Sequence, residues 1–197
     1  MFVLNDANAF HMKKFVMCSS AILFLMGLFL ITDSHLLIRW KLYRMTSTPI
    51  VFSNDILKVI GECVEPVGSS LDTGAKFVIH IDSLECGTCR INKLGIYESV
   101  FKLSDSLGTF QPVILISPPK GEAEKIIRYI QHLKGYPPIY IDSANVFFSD
   151  NGAIPHDARF HHYLLNKDNR PVFVGNPVSD DRMNSLFIEA INNLSNL

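Results

Sequence analysis

The sequence predicts an α/β domain with a mixed central sheet and helices on both faces, preceded by an apolar N-terminal segment. Two observations carry this prediction: β-rich runs alternate with amphipathic stretches after residue 48, and an uncharged run stands at residues 15–32. The 197 residues suffice for one domain of about 150 residues and an added segment. The predicted parts are a short tail at 1–14, the apolar segment at 15–32, a linker at 33–47 and a domain at 48–197.

The apolar segment contains neither a charged residue nor a proline. As a helix it would be about 27 Å long, close to the thickness of the hydrocarbon core of a bilayer. Lys13 and Lys14 precede it as in a signal sequence, but the apolar run is longer than usual there and no small-x-small cleavage site follows it. We interpret residues 15–32 as a single-pass membrane anchor, with the domain in the periplasm or elsewhere outside the cytoplasm. A signal peptide, with secretion after cleavage, is the alternative.

The linker at 33–47 has the composition of a membrane interface, because Trp40 and Tyr43 stand among basic residues. Those basic residues offset the lysines in front of the apolar segment. The positive-inside rule therefore leaves the orientation open.

Strand and helix signals follow one another along the domain. The predicted strands lie at 77–82, 112–117, 137–142, 159–166 and 171–176. The predicted helices lie at 90–107, 122–135 and 181–194. Because the last two strands are joined by a polar turn, they form a hairpin, and the whole order gives a mixed sheet covered on both faces.

Cys86 and Cys89 form a C-x-x-C motif between the first predicted strand and the first predicted helix. The unpaired N–H groups and the positive dipole end at a helix N-terminus lower the pKa of a thiol there. Cys86 is therefore the candidate nucleophile, and Cys89, one turn later, the candidate resolving thiol. Arg90 adds a positive charge beside the pair. In this context the motif predicts a redox-active disulfide that needs no further cofactor.

A cysteine pair with this spacing can have two other roles. Half of a zinc site would need a second ligand pair, and neither Cys18 nor Cys63 belongs to another C-x-x-C, so no metal is predicted. A purely structural disulfide stays open, because export favours oxidised cysteines regardless of activity. Cys63, in a stretch that pairs at the sheet edge, is predicted to be a free buried thiol.

Residues 77–177 resemble the bacterial envelope thioredoxin-like proteins related to thiol-disulfide oxidoreductases of the TlpA type. The resemblance rests on FVIHIDSLECGTC, around the first strand and the cysteines, and on FHHYLLNKDNRPVFVGNP in the late hairpin. It implies a thioredoxin-like three-layer α/β/α sandwich and exchange with protein thiols or disulfides. This sequence has Phe160 where the family usually has a cis-proline, and Glu85 where the family usually has tryptophan.

Three histidines accompany the cysteines. His80 stands six residues before Cys86, where thioredoxins place a buried acid that relays protons to the second cysteine. His80 is therefore a candidate proton relay, and a core or surface histidine with a hydrogen-bond partner is the favoured alternative. His161 and His162 are adjacent on a strand, so only one of them faces the cysteines.

Charge argues against nucleic acid as a partner. The chain has 18 basic and 19 acidic residues and a formal net charge of -1, without a basic patch. The expected function is that of a membrane-anchored thiol-disulfide oxidoreductase outside the cytoplasm. The alternative is a non-catalytic binding module of the cell envelope that keeps Cys86 and Cys89 as a structural disulfide.

Overall fold

The computed structural model describes residues 35–71, 73–84, 87–133 and 135–194. It divides the chain into two compact units, Met1–Leu42 and Tyr43–Leu197. The predicted anchor at 15–32 lies outside the described residues. None of the helices within the described ranges has both the length and the apolar character required to cross a bilayer.

The described residues of the second unit form a seven-stranded mixed sheet. The strands are β1 (Leu57–Ile60), β2 (Cys63–Pro66), β3 (Lys76–Ile81), β4 (Gln111–Ile116), β5 (Ile139–Ile141), β6 (His162–Leu165) and β7 (Pro171–Val174). Their order across the sheet is β2-β1-β5-β4-β3-β6-β7. β3, β4 and β5 run parallel to one another, while β6 is antiparallel to β3 and β7 to β6. The predicted mixed sheet is confirmed.

The helices of the described residues follow the strands in the predicted order. They are α1 (35–47), α2 (Gly87–Ile91), α3 (Glu98–Leu107), α4 (Ala123–Gln131), α5 (Phe147–Asp150) and α6 (Asp181–Asn193). Three short 3-10 helices lie at Gly68–Leu71, Leu94–Tyr97 and Ala158–Phe160. The order of these elements is that of a thioredoxin-like fold. A strand, a helix, a parallel strand and a second helix come first, and an antiparallel hairpin and a final helix follow. β5 and the β1–β2 hairpin extend its sheet at one side.

The single helix predicted over 90–107 is wrong in detail. α2 ends at Ile91, and the Leu94–Tyr97 3-10 helix connects it to α3. The buried residues of this segment recur at every third position, namely at Ile91, Leu94, Tyr97 and Val100. This spacing fits a 3-10 helix as well as an α-helix. Hydrophobic spacing alone therefore could not locate the break.

The two faces of the sheet are covered differently, as alternation along β3 shows. Phe77, Ile79 and Ile81 belong to the main hydrophobic cluster, which also contains residues of α2, α3, α4 and α6. His80 points to the other face, where its ring contacts Phe147 of α5. The long helices of the second unit thus share the cluster on one face, and the short α5 contributes to covering the other.

Gly175, directly after β7, is a position at which a side chain would disturb the packing. Its φ is 146°, and a Cβ atom there would overlap Cε of Met183 in α6. Its N–H also donates a hydrogen bond of 2.8 Å to the carbonyl of His162.

We expect Gly175→Ala to lower the free energy of unfolding by about 1–3 kcal/mol, because it combines overpacking with a backbone angle that disfavours side chains. Chemical unfolding of the full chain in mild detergent, followed by circular dichroism, measures the change. Gly152→Ala is the matched control, since a Cβ atom there meets nothing within 4 Å. Equal stability of the two variants would contradict the prediction.

Candidate functional site

Cys89 lies in α2, which follows β3, an inner strand between β4 and β6. Cys89 is disulfide-bonded, whereas Cys63 is a free thiol. Glu85 and Cys86 lie outside the described residues. The disulfide therefore involves Cys89, the cysteine of the C-x-x-C motif that lies within the described residues.

Cys63 is exposed, which corrects the prediction of a buried thiol. It begins β2, whose four residues are all exposed. β2 is the outermost strand at its side of the sheet and pairs with β1. Within the described part of the chain, a neighbouring strand therefore flanks the side chains of β2 on one side only.

Gly87, inside the C-x-x-C motif, allows α2 to pack closely on α4. A Cβ atom on Gly87 would lie 3.0 Å from Cδ1 of Ile126. Ile126 is buried and belongs to the main cluster. A larger residue at position 87 would therefore require the Ile126 side chain to shift by a few tenths of an ångström.

The structure settles which of the two adjacent histidines shares a face with α2. His162 is paired with Ile79 across β6 and β3, so its side chain lies on the face of the main cluster. There its Nε2 atom is 2.6 Å from the hydroxyl oxygen of Tyr97, and the two rings stack with centroids 5.6 Å apart. The Tyr97–His162 pair was not predicted, because 65 residues separate its members in the sequence.

The environment of His162 keeps its ring neutral. Burial, the positive charge of Arg90 and the neighbouring His161 together lower its pKa to about 4. A neutral imidazole can accept a hydrogen bond from the Tyr97 hydroxyl at Nε2. Because Arg90 is next to Cys89 in sequence, its influence on His162 connects this pair electrostatically to the cysteine helix.

Tyr97→Phe should lower the free energy of unfolding by about 1–3 kcal/mol, because it leaves a buried nitrogen of His162 without its hydrogen bond. Tyr129→Phe is the matched control, because the Tyr129 hydroxyl donates to Asn92 at an exposed site. We expect the control to stay within about 0.5 kcal/mol of the parent chain. Chemical unfolding measures both, and a Tyr97→Phe variant as stable as the control would refute the importance of the buried bond.

His80, the candidate proton relay, is fully buried on the opposite face of β3. Its Nε2 atom is 3.1 Å from the hydroxyl of Ser117, which donates to Asp142 at 3.2 Å. Asp142 also accepts the backbone N–H of Phe147 at the start of α5. His80 is therefore part of a hydrogen-bonded chain that ends at α5, and its role as a relay stays a prediction.

Burial also changes the titration of His80. Desolvation, reinforced by three neighbouring histidines, lowers its pKa to about 3. Among the described residues its Nδ1 atom has no hydrogen-bond partner. A proton on this ring would place a charge in an apolar environment beside Phe147 and Phe148.

A cluster of rings surrounds His80. Phe148 lies between His80 and His156, with centroid distances of 4.7 and 4.4 Å, and His161 lies 5.2 Å from His80. His161 Nε2 donates to the carbonyl of Pro155 at 3.1 Å. Within the part of the chain that the structure describes, no three His, Cys, Asp or Glu side chains are arranged to hold a metal ion.

Phe160 occupies the position at which the TlpA-type resemblance implies a cis-proline. It is buried at the end of a 3-10 helix, two residues before β6. No cis peptide bond occurs in the described ranges. An aromatic ring thus fills the position that leads into the hairpin.

No protein-family model matches this chain, and no curated protein matches it. Solved structures similar to it include a candidate thiol:disulfide interchange protein DsbE from Chlorobium tepidum, with 14% identity, a TM-score of 0.45, and coverage of 70% of this chain and 94% of that one. A candidate protein disulfide isomerase from Bacteroides thetaiotaomicron has 13% identity and a TM-score of 0.46, over 76% and 93% of the two chains. An uncharacterized thioredoxin-like protein from Porphyromonas gingivalis has 11% identity and a TM-score of 0.46, over 75% and 94%. The thioredoxin-like assignment of this chain follows from its strand order and connections.

Proposed function

We propose that the chain is a thiol-disulfide oxidoreductase outside the cytoplasm, with Cys86 as nucleophile and Cys89 as resolving thiol. The observation that carries the proposal is the disulfide at Cys89, in the helix that follows the inner strand β3. Cys63 is a free thiol, and Cys86 is three residues from Cys89 in a C-x-x-C motif. Cys86 is the partner that we propose for Cys89.

The proposed reaction transfers two electrons in two exchange steps. The Cys86 thiolate attacks one sulfur of a substrate disulfide, and the other substrate sulfur leaves as a thiolate. The Cys89 thiolate then attacks the Cys86 sulfur of the mixed disulfide and releases the second substrate thiol. The substrate is reduced, and the Cys86–Cys89 disulfide is formed. Run backwards, the same steps oxidise a substrate dithiol.

Local charge supports the formation of a thiolate at this site. Arg90 follows Cys89 in α2, and a nearby cation lowers the pKa of a thiol. Since α2 has five residues, its dipole lowers the pKa of a thiol less than the dipole of the long helix predicted from the sequence would. Arg90 is therefore the main source of positive charge that we assign to the site. The substrates that we propose are protein thiols or disulfides.

The anchor at 15–32 is the second part of the proposal. Its uncharged sequence is long enough to span a bilayer and would hold the domain at the outer surface of the cell membrane. There, or in the periplasm, disulfides persist and exchange catalysts are needed.

A second candidate function is that of a binding module with a structural Cys86–Cys89 disulfide. The observation that favours it is buried Phe160 at the position of the family's cis-proline. A bulky ring at this position changes the site at which thioredoxin-like folds bind an extended substrate strand. The two candidates differ in whether the disulfide turns over.

The test of the proposed function compares the full chain in detergent micelles with its Cys86→Ser variant. We expect the parent chain to accelerate the reduction of insulin disulfides by dithiothreitol. The variant should leave the reaction at its uncatalysed rate, because it lacks the attacking thiolate. Equal rates for the two proteins would reject the oxidoreductase and leave the binding module.

A further inference from the structure

A cleft lies beside α3, at the edge of the sheet where the parallel strands begin. Its volume is about 510 Å³, which is within the range of sites that bind small molecules. It is lined by α3, by the start of β4, by residues 135–138 and by Tyr140 of β5. Because β3 and β4 are parallel and α2 follows the other end of β3, Cys89 lies at the opposite edge of the sheet. The cleft is therefore separate from the proposed redox site.

The less exposed part of the lining is apolar. Three aromatic residues belong to it, and each is buried or half-buried: Phe101, Tyr136 and Tyr140. Phe101 and Tyr136 also pack against the main hydrophobic cluster, which holds them in place. The faces of an aromatic ring carry partial negative charge and attract a cation. The aromatic lining thus suits a ligand with an apolar body and favours one that bears a positive charge.

Prolines shift the hydrogen-bonding capacity of the lining towards acceptors. Three of the eleven lining residues are Pro112, Pro137 and Pro138. Proline has no backbone N–H, but its carbonyl oxygen still accepts a hydrogen bond. A ligand that donates hydrogen bonds, as an ammonium group does, fits such a lining better than a ligand that only accepts them.

The charged residues of the lining lie on one face of α3. Glu98, Phe101, Lys102 and Asp105 follow the spacing i, i+3, i+4 and i+7 of a single helix face. Nζ of Lys102 is 2.7 Å from Oε1 of Glu98, so these two charges offset each other. Asp105 is exposed, and among the described residues no cation pairs with it. Asp105 therefore gives this rim of the cleft an uncompensated negative charge.

We propose that the cleft binds a small organic cation, with its apolar body against Phe101 and Tyr136 and its ammonium group towards Asp105. Charge complementarity decides the class of ligand. An anion would meet the Asp105 carboxylate and the negative faces of the rings, and a neutral ligand would gain nothing from either charge. This binding function is additional to thiol-disulfide exchange and does not depend on it.

The test compares phenethylammonium with phenethyl alcohol, which has the same aromatic body and a similar size but no charge. Saturation-transfer NMR on the full chain in nonionic detergent micelles measures both dissociation constants, and micelles without protein give the background. We expect saturable binding of the ammonium with a dissociation constant of about 1–10 mM, as is reasonable for so small a ligand. The alcohol should bind about five-fold more weakly. Absence of saturable ammonium binding, or equal constants for the two ligands, would overturn the proposal.

A substitution at the rim tests the role of charge. Asp105→Asn removes the carboxylate charge at nearly constant size, so it should weaken ammonium binding about three-fold and leave alcohol binding unchanged. Glu189→Gln is the matched control, because it removes an exposed carboxylate of α6 that does not line the cleft. We expect the control to bind both ligands like the parent chain. Equal ammonium binding by the two variants would overturn the proposal.

A substitution in the apolar part of the lining tests the role of the rings. Tyr136→Leu keeps an apolar side chain but removes the aromatic face, so it should weaken ammonium binding about three-fold. Tyr129→Leu is the matched control, at a tyrosine of α4 outside the cleft, and should leave ammonium binding unchanged. Parent-like ammonium binding by Tyr136→Leu would overturn the proposal.

Discussion

Cys89→Ser should convert the protein into a trap for its substrates. Cys86 can still attack a substrate disulfide, but the thiol that resolves the mixed disulfide is missing. A well-oriented intramolecular thiol acts at a very high effective concentration, so turnover with a protein disulfide should fall by about 10³-fold or more. A covalent complex between the chain and its substrate should accumulate instead. Non-reducing gel electrophoresis detects the complex, and insulin reduction measures the turnover.

The chain offers a matched control for this experiment. Cys63 is an exposed free thiol on β2, so Cys63→Ser tests whether any accessible thiol can produce the same complexes. We expect Cys63→Ser to keep full turnover and the complex of Cys89→Ser to disappear when Cys86 is also replaced. A complex that survives in the Cys86 double variant, or turnover that survives in Cys89→Ser, would contradict the assigned roles.

Acidification should destabilise the fold strongly between about pH 6.5 and pH 4. The folded pKa of His80 is lowered to about 3 and that of His162 to about 4, from an ordinary value of 6.5. The unfolded chain therefore binds more protons in this window, and stability is lost as the pH falls. At pH 5 each histidine should cost about 2 kcal/mol relative to neutral pH. Urea unfolding at a series of pH values measures the loss.

Variants assign this pH dependence to the buried rings. His80→Gln removes one titrating group, and the slope of stability against pH should become shallower even if the variant is less stable at pH 7. His132 is exposed, and His132→Gln should leave the slope as it is. A slope that His80→Gln does not change would show that the buried histidine is not responsible.

The sequence was informative where a signal is local. The parallel strands β3, β4 and β5 are short apolar runs bounded by turns, and each lies within two residues of its prediction. The placement of Cys89 in a helix directly after β3 follows from the same local pattern. At the β1–β2 hairpin the sequence predicts only an edge segment. Gly61 is the turn residue that marks the hairpin, and its φ of 55° in the structure shows why glycine is needed there.

The sequence was uninformative where the site depends on distant contacts. Tyr97 and His162 meet because α2, the 3-10 helix and β6 converge on one face of β3. The partners of His80 come from β3, the residues after β4, and α5. Alternation along the strand predicted at 159–166 led to the expectation that His161 and His162 point apart. In the structure a 3-10 helix occupies Ala158–Phe160 and β6 begins only at His162. The register of β6 on β3 then places His162 on the face of α2.

The reduction potential of the Cys86 and Cys89 pair tests the central claim most directly. The full chain, with Cys18 and Cys63 both replaced by serine so that only Cys86 and Cys89 are counted, is equilibrated in detergent micelles with graded dithiothreitol or glutathione buffers, and its thiols are counted by alkylation. We predict a potential between about -270 and -120 mV, the range of known exchange catalysts. A pair that remains oxidised below about -300 mV would be a structural disulfide and would contradict the oxidoreductase.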